Sequence, residues 1–422
     1  MTRVKFVHTA DLHLDTPFKG LSSWNGQLAC RLKNATLKSF QNTVDLCLRE
    51  EVDFLLVAGD IFDSEDQSLK AQLQFIRELK RLDEQNIATY IICGNHDPRD
   101  SWVDALQLPP NTYMFGASEA ESFTHLKEGK PAVDIHGISY KEREVQKDLT
   151  PYYQLKKEPS PLSVALLHGT ATTPGPHENY APFRVEDIAG KNFDYWALGH
   201  IHKRAILRQR DPAVVYPGNP QGRDFGETGA RGCYLVEMER DNPPKMQFVP
   251  TQMIRFEELE VDLSDTQNLS DLPDAIDEAL FNLTDYQPNT SYILRIVFTG
   301  RTSLHTNLNK EGDIDELWEH LNQDQLSKSL FRWIDTIQVR TQPNMDLEKI
   351  KKGSDFQAEI VKTIEAYENN PQNLEELIRQ AEENFKDKRA GRKLNELSRD
   401  EQKILLEKAK WQLLEELLKD KE

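Results

Sequence analysis

The chain has 422 residues, a formal net charge of −18 at pH 7 and a mean hydropathy of −0.65. This length exceeds that of one average domain and predicts two or three. No apolar run approaches the roughly 18 residues of a membrane span, and the charged N-terminus lacks the apolar stretch of a signal peptide. We therefore expect no membrane partner.

The cysteines and the placement of charge indicate the compartment of the protein and the kinds of ligand it can bind. The four cysteines lack CxxC spacing and indicate neither a zinc knuckle nor a disulfide framework, so we expect a cytoplasmic protein. The net charge argues against tight unaided binding to nucleic acid, because Lys and Arg contacts supply most non-specific affinity. One stretch, Lys203 to Arg231, nevertheless holds six basic residues against three acidic ones.

Over the first 240 residues, short apolar runs alternate with stretches of helical spacing. The predicted strands are Val4–His8, Asp53–Ala58, Ala88–Cys93, Ala132–Ile138, Leu162–Leu167, Tyr195–Leu198, Ala213–Tyr216 and Cys233–Val236. Predicted helices, about Leu28–Glu50 and Ser68–Gln85, separate the early strands. This order predicts a layered α/β domain with partly parallel sheets, over residues 1–250.

Beyond Arg255 the pattern is that of a small α+β domain over residues 255–342. The predicted strands are Leu259–Leu263, Tyr292–Phe298 and Asp335–Val339, and the predicted helices are Asp274–Leu283 and Ile314–Asn322. The third region, residues 346–422, lacks strand patterns and predicts two or three amphipathic helices.

Helix-start signals mark this C-terminal region. Ser354 with Gln357 and Ser398 with Glu401 match the capping box, and Asn370-Pro371 predicts another helix start. Two apolar stripes follow: Leu374, Leu377, Ile378, Ala381 and Phe385, and then Leu406, Ala409, Leu413, Leu414 and Leu417.

Five polar motifs each follow a predicted strand directly. They are Asp11-Leu12-His13, Gly59-Asp60-Ile61-Phe62-Asp63, Gly94-Asn95-His96-Asp97, His168-Gly169 and Gly199-His200-Ile201-His202. Strand ends meet at one edge of a layered α/β fold, so these motifs can converge on one pocket. Carboxylate, imidazole and amide ligands without thiolate favour Mn, Fe or Zn. A hydrogen-bonded core histidine is the simpler reading of His168 alone, but five motifs in this order predict a metal centre.

These motifs resemble the calcineurin-like metallophosphoesterase pattern over residues 4 to about 240. The resemblance implies an αββα-type layered domain, in this chain followed by a capping domain and a helical tail. It implies that one divalent ion is held by Asp11, His13, Asp60 and His202. It implies that the second is held by Asp60, Asn95, His168 and His200.

The same resemblance makes His96 the catalytic histidine rather than a ligand. Asp63 is then placed to hold His96 in the right tautomer, with a solvated surface aspartate as the alternative. Asp97 is expected to cap or orient the turn after His96. His8, His136, His177 and His305 are expected to have no role in the chemistry.

The motifs depart from those of the protein phosphatases, which carry Asp-Arg-Gly where this chain has Asp63-Ser64-Glu65. The runs His8 to Asp15, Ala58 to Asp63 and Tyr216 to Asn219 resemble SbcD-type DNA repair exonucleases, and among them the YhaO branch. That resemblance implies Mn-dependent cleavage of DNA, with Fe, Zn or Mg as alternative metals. It also implies some endonuclease activity, a homodimer, and a coiled-coil ABC-type ATPase bound through the C-terminal helices.

Other interpretations stay open at this point. The stretch from Lys203 to Arg231 is either a guide for the DNA backbone or a solvated loop. A small-molecule phosphoesterase, such as a cyclic-nucleotide phosphodiesterase, does not need a capping domain and a tail. A non-catalytic scaffold tends to lose ligands, whereas all seven are present in this chain with His96. We therefore expect a two-metal DNA exonuclease.

Overall fold

The structure is a computed structural model, and it describes residues 2–14, 16, 26–63, 68–101, 107–155, 160–172, 180–310, 312–345, 347–354, 356–384 and 397–419. Contacts group the chain into two units. The first unit comprises Met1–Glu258, Thr284–Leu294 and Asn322–Asp335, and the second comprises Leu259–Leu283, Arg295–Leu321 and Thr336–Glu422. The three predicted domains with boundaries near 250 and 342 therefore stay a prediction.

Strands and helices make up most of the described residues. In chain order, the strands are β1 (Arg3–Thr9), β2 (Phe54–Ala58), β3 (Ala88–Ile92), β4 (Thr112–Met114), β5 (Glu121–Lys127), β6 (Lys130–Gly137), β7 (Leu162–His168), β8 (Tyr195–Gly199), β9 (Ala205–Gln209), β10 (Ala213–Tyr216), β11 (Gly232–Glu239), β12 (Lys245–Pro250), β13 (Ile254–Asp262), β14 (Ser291–Thr299), β15 (Arg301–Thr302), β16 (Arg332–Val339) and β17 (Gln342–Pro343). The helices are α1 (Gly26–Lys33), α2 (Ala35–Arg49), α3 (Leu69–Asp83), α4 (Val185–Ala189), α5 (Leu272–Phe281), α6 (His305–Leu308), α7 (Asp313–Asn322), α8 (Leu347–Lys351), α9 (Phe356–Asn369), α10 (Pro371–Asn384) and α11 (Arg399–Lys419).

Two six-stranded mixed sheets build the first unit. One has the order β12-β11-β1-β2-β3-β4 and the other the order β5-β6-β7-β8-β10-β9. In the first sheet β1 to β4 run parallel, and in the second β6, β7, β8 and β10 do. Parallel order brings the carboxyl ends of neighbouring strands to one edge, which is where the polar motifs follow.

The sheets pack face to face and are covered by helices on the outer faces. One apolar core joins Phe6 and Phe54 of the first sheet to Val164 and Tyr195 of the second. A second core packs β1 to β3 against α2 and α3, and a third includes Ile188 of α4 on the far side of the second sheet. The predicted layered α/β fold is confirmed.

All eight strands predicted in the first 240 residues are present, but β4, β5 and β9 in that range and β12 just beyond it were missed. Strand β4 has three residues, β9 is largely exposed, and β5 and β12 alternate without a continuous apolar run. The helix predicted over Leu28–Glu50 is two helices, because the chain breaks at Asn34, whose side chain donates to the Cys30 carbonyl at 2.9 Å.

The α+β pattern beyond Arg255 is also present. Strands β13, β14 and β16 form a three-stranded sheet, and β15 pairs with β17 in parallel. Helices α5 and α7 occupy the predicted places. Within the residues that the structure describes, no helix is both long and apolar enough to cross a membrane.

The tail is helical, as predicted, with α9 packed against α8, α10 and α11. Two predicted starts are confirmed: Ser398 N–H and its hydroxyl donate to Glu401, and Asn370 Oδ1 accepts from Gln372 N–H at 3.0 Å. The capping box at Ser354 includes Asp355, which lies outside the described residues.

The apolar stripes of the tail are only partly as predicted. Leu374 and Ile378 are buried, whereas Phe385 lies outside the described residues. In α11 the stripe is wrong in part, since Leu414 is buried but Ala409 and Leu413 are exposed. The reason is the indole of Trp411, which packs with Leu414 and Val361 and so turns a different face of the helix inward.

Candidate metal centre

The five motifs converge on one pocket at the ends of five strands. Asp11 and His13 follow β1, Asp60 and Asp63 follow β2, and Asn95 and His96 follow β3. His168 is the last residue of β7, and His200 and His202 follow β8. The pocket is therefore formed by three strands of one sheet and two of the other.

Four of these residues have left-handed backbone. The φ angles are 52° at Asp11, 41° at His13, 52° at Asp60 and 95° at His200. Such a conformation costs a non-glycine residue on the order of 1–2 kcal/mol. Hydrogen bonds between the strand-end loops hold it, since Asp11 N–H donates to Gly59 O at 3.0 Å and His13 N–H to Asp60 O at 3.1 Å. The backbone thus delivers the side chains at a conformational cost.

Two glycines allow the loops to approach each other. A Cβ at Gly94 would lie 2.2 Å from Asp60 Oδ1, and one at Gly199 would lie 1.8 Å from the Ala58 carbonyl oxygen. Both distances are far below any contact that real Cβ atoms make. Close approach, rather than a special turn, explains these two glycines.

The first group of candidate ligands is Asp11, His13 and His202, whose donor atoms all lie within 4.8 Å of one another. The Nε2 atoms of His13 and His202 are 3.1 Å apart. His202 Nδ1 lies 2.6 Å from Glu227 Oε1, and a carboxylate can only accept. The proton of His202 is therefore on Nδ1, which leaves the Nε2 lone pair facing the pocket.

The second group is Asp60, His168 and His200. His168 Nδ1 donates to the Ala58 carbonyl at 2.9 Å, so its Nε2 faces Asp60 Oδ2 at 3.4 Å. Asn95 Oδ1 lies 3.0 Å from His168 Nε2 and 3.2 Å from His200 Nδ1. Asp60 Oδ2 is also 3.9 Å from His13 Nε2, so this carboxylate faces both groups.

The electrostatics of the pocket favour a cation. Burial acts to lower the pKa of His168, but the Asp60 carboxylate raises it to about 9. Burial raises the pKa of Asp11. Burial acts to raise the pKa of Asp60 as well, but His168 and His13 hold it below its usual range.

One buried atom tests whether a metal fits. His13 Nδ1 is buried without a hydrogen-bond partner among the described residues, 3.6 Å from Asp63 Oδ2. A divalent ion on His13 Nε2 would leave the proton on Nδ1, where it faces that carboxylate. For His13, His168 and His202, the ring nitrogen that does not face the pocket would then face an oxygen atom, which is usual for metal ligands. The donor set fits two divalent ions.

His96 lies beside the first group, with Nδ1 2.5 Å from Asp63 Oδ1. Asp63 also accepts from the Thr16 hydroxyl at 2.6 Å. It is therefore no solvated surface residue, and its hydrogen bond raises the pKa of His96. The 41% exposure of the His96 side chain allows a substrate to reach it.

Asp97 was predicted to cap or orient the turn after His96, and it instead holds the turn that carries Asn95 and His96. It is fully buried, and its carboxyl accepts from Gly94 N–H at 2.9 Å and from Ile61 N–H at 3.0 Å. Burial raises the pKa of Asp97 to about 7. His8, assigned no role, is a core residue bonded to Tyr195 and to the Leu198 carbonyl. His177, Asp15, Ser64 and Glu65 lie outside the described residues.

The stretch from Lys203 to Arg231 was interpreted either as a guide for the DNA backbone or as a solvated loop, and as a whole it is neither. Arg231 is 9% exposed and donates to the His202 carbonyl and to Asn219 Oδ1, so it supports the pocket from behind. The Arg204 guanidinium lies 4.0 Å from the centre of the Phe248 ring. Lys203 and Arg208 are exposed, as both interpretations required.

Glu227 is the residue that sequence reasoning missed. It accepts from His202 Nδ1 at 2.6 Å and from Asn219 Nδ2 at 2.8 Å, and it is paired with Arg223 at 3.1 Å. In the sequence, Glu227 is only one of three acidic residues in the stretch from Lys203 to Arg231, because no motif links it to His202. Its place after the short strand β10, in a loop that turns back to the pocket, was visible only in the fold.

Comparison with known proteins gives consistent results. The family model described as calcineurin-like phosphoesterase matches residues 4–204, and one described as metallophosphoesterase YhaO, middle domain, matches residues 256–342. The uncharacterized metallophosphoesterase YhaO of Bacillus subtilis (strain 168) is 34% identical over 333 residues, which are 79% of this chain and 81% of that protein.

A more distant relative is the DNA double-strand break repair protein Mre11 of Sulfurisphaera tokodaii. It is 28% identical over 257 residues, which are 58% of this chain and 62% of that protein. Among solved structures, a dimetal phosphatase from Danio rerio superposes with a TM-score of 0.37 and 12% identity, over 59% of this chain and 96% of its own.

Proposed function

Because the chain belongs to the calcineurin-like metallophosphoesterase family, we propose that it is a two-metal phosphodiesterase that acts as a DNA exonuclease in repair. The observation that carries the proposal is the position of Asp60, whose carboxylate faces both ligand groups. His96, backed by Asp63, lies beside them. Together these residues offer two metal positions and one protonated imidazole, which is what phosphodiester hydrolysis requires.

The proposed ligands follow the two groups. Asp11, His13, Asp60 and His202 would hold one ion, and Asp60, Asn95, His168 and His200 would hold the other. Mn is the metal proposed, with Fe, Zn and Mg as the alternatives to test, because oxygen and imidazole donors suit all of them. Two divalent ions would supply positive charge that polarises the phosphodiester and promotes attack by water.

The chain's own residues then divide the remaining tasks. Asp63 holds Nδ1 of His96, so the proton on Nε2 is the one available for the leaving 3′ or 5′ oxygen. Glu227 orients His202, and the Ala58 carbonyl orients His168. Asp97 fixes the turn that carries Asn95 and His96.

DNA as the substrate is supported by the SbcD-type motifs and by the repair protein among the relatives. A small phosphodiester is the second candidate, and one observation favours it. Arg231, which counted toward a DNA-guiding stretch, is turned inward onto the His202 carbonyl, and the net charge is −18. Both reduce the basic surface that this chain offers to a DNA backbone, which leaves exposed side chains such as Lys203 and Arg208 for such contacts.

We also propose a homodimer and a coiled-coil ABC-type ATPase partner bound through the C-terminal helices. Leu69 and Leu73, one turn apart on α3, are 66% and 56% exposed, which supports an interface on that helix. Phe356 at the start of α9 is 65% exposed, which supports docking of a partner by the tail.

The test is hydrolysis by the purified full chain with Mn. Labelled single-stranded DNA, labelled duplex DNA, a cyclic nucleotide and bis(p-nitrophenyl) phosphate are compared, and Asp60→Asn serves as the control for a contaminating nuclease. We expect release of nucleotides from DNA ends that the variant lacks. Rapid turnover of the cyclic nucleotide with intact DNA would favour the second candidate. The absence of any hydrolysis would favour a scaffold.

A further inference from the structure

Arg223 lies between two carboxylates, each of which holds a histidine of the metal centre. Its Nη2 is 3.1 Å from Glu227 Oε1, and its Nη1 is 3.9 Å from Asp63 Oδ2. Glu227 bonds His202, and Asp63 bonds His96. Arg223 therefore links the residue behind a proposed metal ligand to the residue behind the proposed proton donor.

The Arg223 guanidinium has more hydrogen-bond donors than it uses within the described residues. It carries five N–H groups in a fixed fork, and within the described part of the chain the guanidinium makes one hydrogen bond, from Nη2 to Glu227 Oε1. Nη2 also lies 3.0 Å from His202 Nδ1, but that nitrogen carries the proton that it donates to Glu227 and cannot accept another. Nη1 is too far from Asp63 for a hydrogen bond. The side chain is 22% exposed, and its Nη1 and Nε make no hydrogen bond within the described residues. A fork held on one side and free on the other suits an oxyanion.

Glu227 holds this arrangement rigid. Its Oε2 accepts from Arg223 N–H at 2.9 Å and from Asn219 Nδ2 at 2.8 Å, while its Oε1 accepts from His202 and from the Arg223 side chain. With both oxygens occupied in this way, the carboxylate orients two functional side chains at once.

We propose that Arg223 binds a non-bridging oxygen of the substrate phosphodiester, and that Glu227 is the positioning residue for both Arg223 and His202. The proposal rests on the proposed phosphodiesterase function. The rings of His96 and His202 each lie 4.9 Å from the ring of His13, and Arg223 lies between the carboxylates that hold these two histidines. A phosphate that contacts His96 and an ion on His202 would therefore be near Arg223. A fixed positive charge there offsets the repulsion between the phosphate and the carboxylates of the pocket.

Inorganic phosphate is the probe, because its binding can be measured without turnover. Calorimetry on the Mn-loaded full chain gives its dissociation constant, elemental analysis gives the metal content, and bis(p-nitrophenyl) phosphate gives KM and kcat. For Arg223→Ala we expect unchanged metal content and phosphate binding weaker by about 10-fold, the range for a charged hydrogen bond, with a matching rise in KM. Arg223→Lys should recover part of the loss, since it keeps the charge but not the fork.

The matched control is Arg210→Ala, which removes the same charge from the same stretch at an exposed side chain outside the pocket. It should leave phosphate binding unchanged. Glu227→Gln should weaken both Mn and phosphate binding by roughly 10–100-fold, as removal of a partner behind a ligand does.

Two results would overturn the proposal: phosphate binding by Arg223→Ala equal to that of the unaltered chain, or loss of metal from that variant, which would make Arg223 only a support for His202. Failure of the proposed function looks different. A chain that binds phosphate through Arg223 but hydrolyses no phosphodiester contradicts the phosphodiesterase and leaves the Arg223 contact standing.

Discussion

The metal centre and the helical tail are built on opposite principles. In the centre nearly every polar atom has a named partner, as in the chain from Glu227 through His202 to His13. In the tail, α9 and α11 are held by a small apolar cluster of Val361, Trp411 and Leu414. The centre fixes atoms by hydrogen bonds and left-handed backbone, whereas the tail relies mainly on apolar contacts between helix faces, with few side-chain hydrogen bonds such as that from Gln357 to the Leu417 carbonyl.

This difference indicates where a substitution that alters only one or a few atoms should affect the protein most. Apolar contacts are non-directional and tolerate repacking of similar volume. Buried polar networks do not, because each lost partner leaves a desolvated group behind. The variants below test whether the two regions respond as differently as they are built, and they are ordered from the largest expected effect on hydrolysis to the smallest.

Asp60→Asn should have the largest effect. It removes the one carboxylate that faces both ligand groups, so metal content and hydrolysis should fall together, with activity reduced by more than about 100-fold, the upper range for loss of a residue behind a ligand. Elemental analysis and turnover of bis(p-nitrophenyl) phosphate measure this. Asp241→Asn is the matched control, since Asp241 is exposed and also left-handed, with φ 66°. Near-normal Mn-dependent hydrolysis by Asp60→Asn would sink the two-metal arrangement.

His96→Leu should abolish turnover while leaving both metals in place. Loss of a general acid lowers rates by about 10²–10⁴-fold. His96 belongs to neither the Asp11 nor the Asp60 group of candidate ligands, but it forms a third group with His13 and Asp63, so the metal content decides between its two roles. Metal content and kcat are measured on the same sample, with His320→Leu as a control on an exposed helix position. If one ion per chain disappears instead, His96 is a ligand and its assignment as proton donor is wrong.

Asp63→Asn should have a smaller effect of the same kind. An amide at this position can donate to His96 Nδ1, which favours the wrong tautomer, and the expected loss is about 10–100-fold in kcat with metal retained. Because Thr16 and His13 also approach Asp63, the metal content must be measured as well. Unchanged kcat in Asp63→Asn would show that His96 needs no carboxylate behind it.

Truncation after Pro343 should have the smallest effect on hydrolysis. All proposed ligands precede residue 203, so Mn-dependent turnover of a small phosphodiester should change by no more than about twofold, the range of changes remote from a site. The same truncation should lose co-purification with the proposed ATPase and any ATP-stimulated digestion of duplex ends. If the truncated chain still captures the ATPase at full strength, the tail is not the docking element.

Much of the centre could be predicted because its residues are local to strands. Asp11, Asp60, Asn95 and His200 each follow an apolar run within four residues, and this is readable from the sequence alone. Glu227 and Thr16 could not be found in this way. They contact His202 and Asp63 across 25 and 47 residues of chain, and only the folded loops bring them there.

In the fold, too, some elements could be predicted from the sequence and others could not. Strands with continuous apolar runs were predicted within about two residues, because burial on both faces leaves a plain signal. The exposed strand β9 and the edge strand β12 carry no such signal. In α11 the predicted stripe was right at Leu414 and wrong at Ala409 and Leu413, and the Trp411 indole, which was not part of the stripe, packs with Leu414 and Val361.

The left-handed backbone of Asp11, His13, Asp60 and His200 has a consequence for thermal stability. Together with the crowded carboxylates it makes the metal-free first unit less stable than its core alone would allow. Ions that bind only the folded chain stabilise it, by about 2.7 kcal/mol at 100 times their dissociation constant. The melting temperature should therefore rise with each suitable divalent ion in order of affinity. A thermal-shift series would rank Mn, Fe, Zn and Mg for this chain without a substrate, and Asp60→Asn should flatten it.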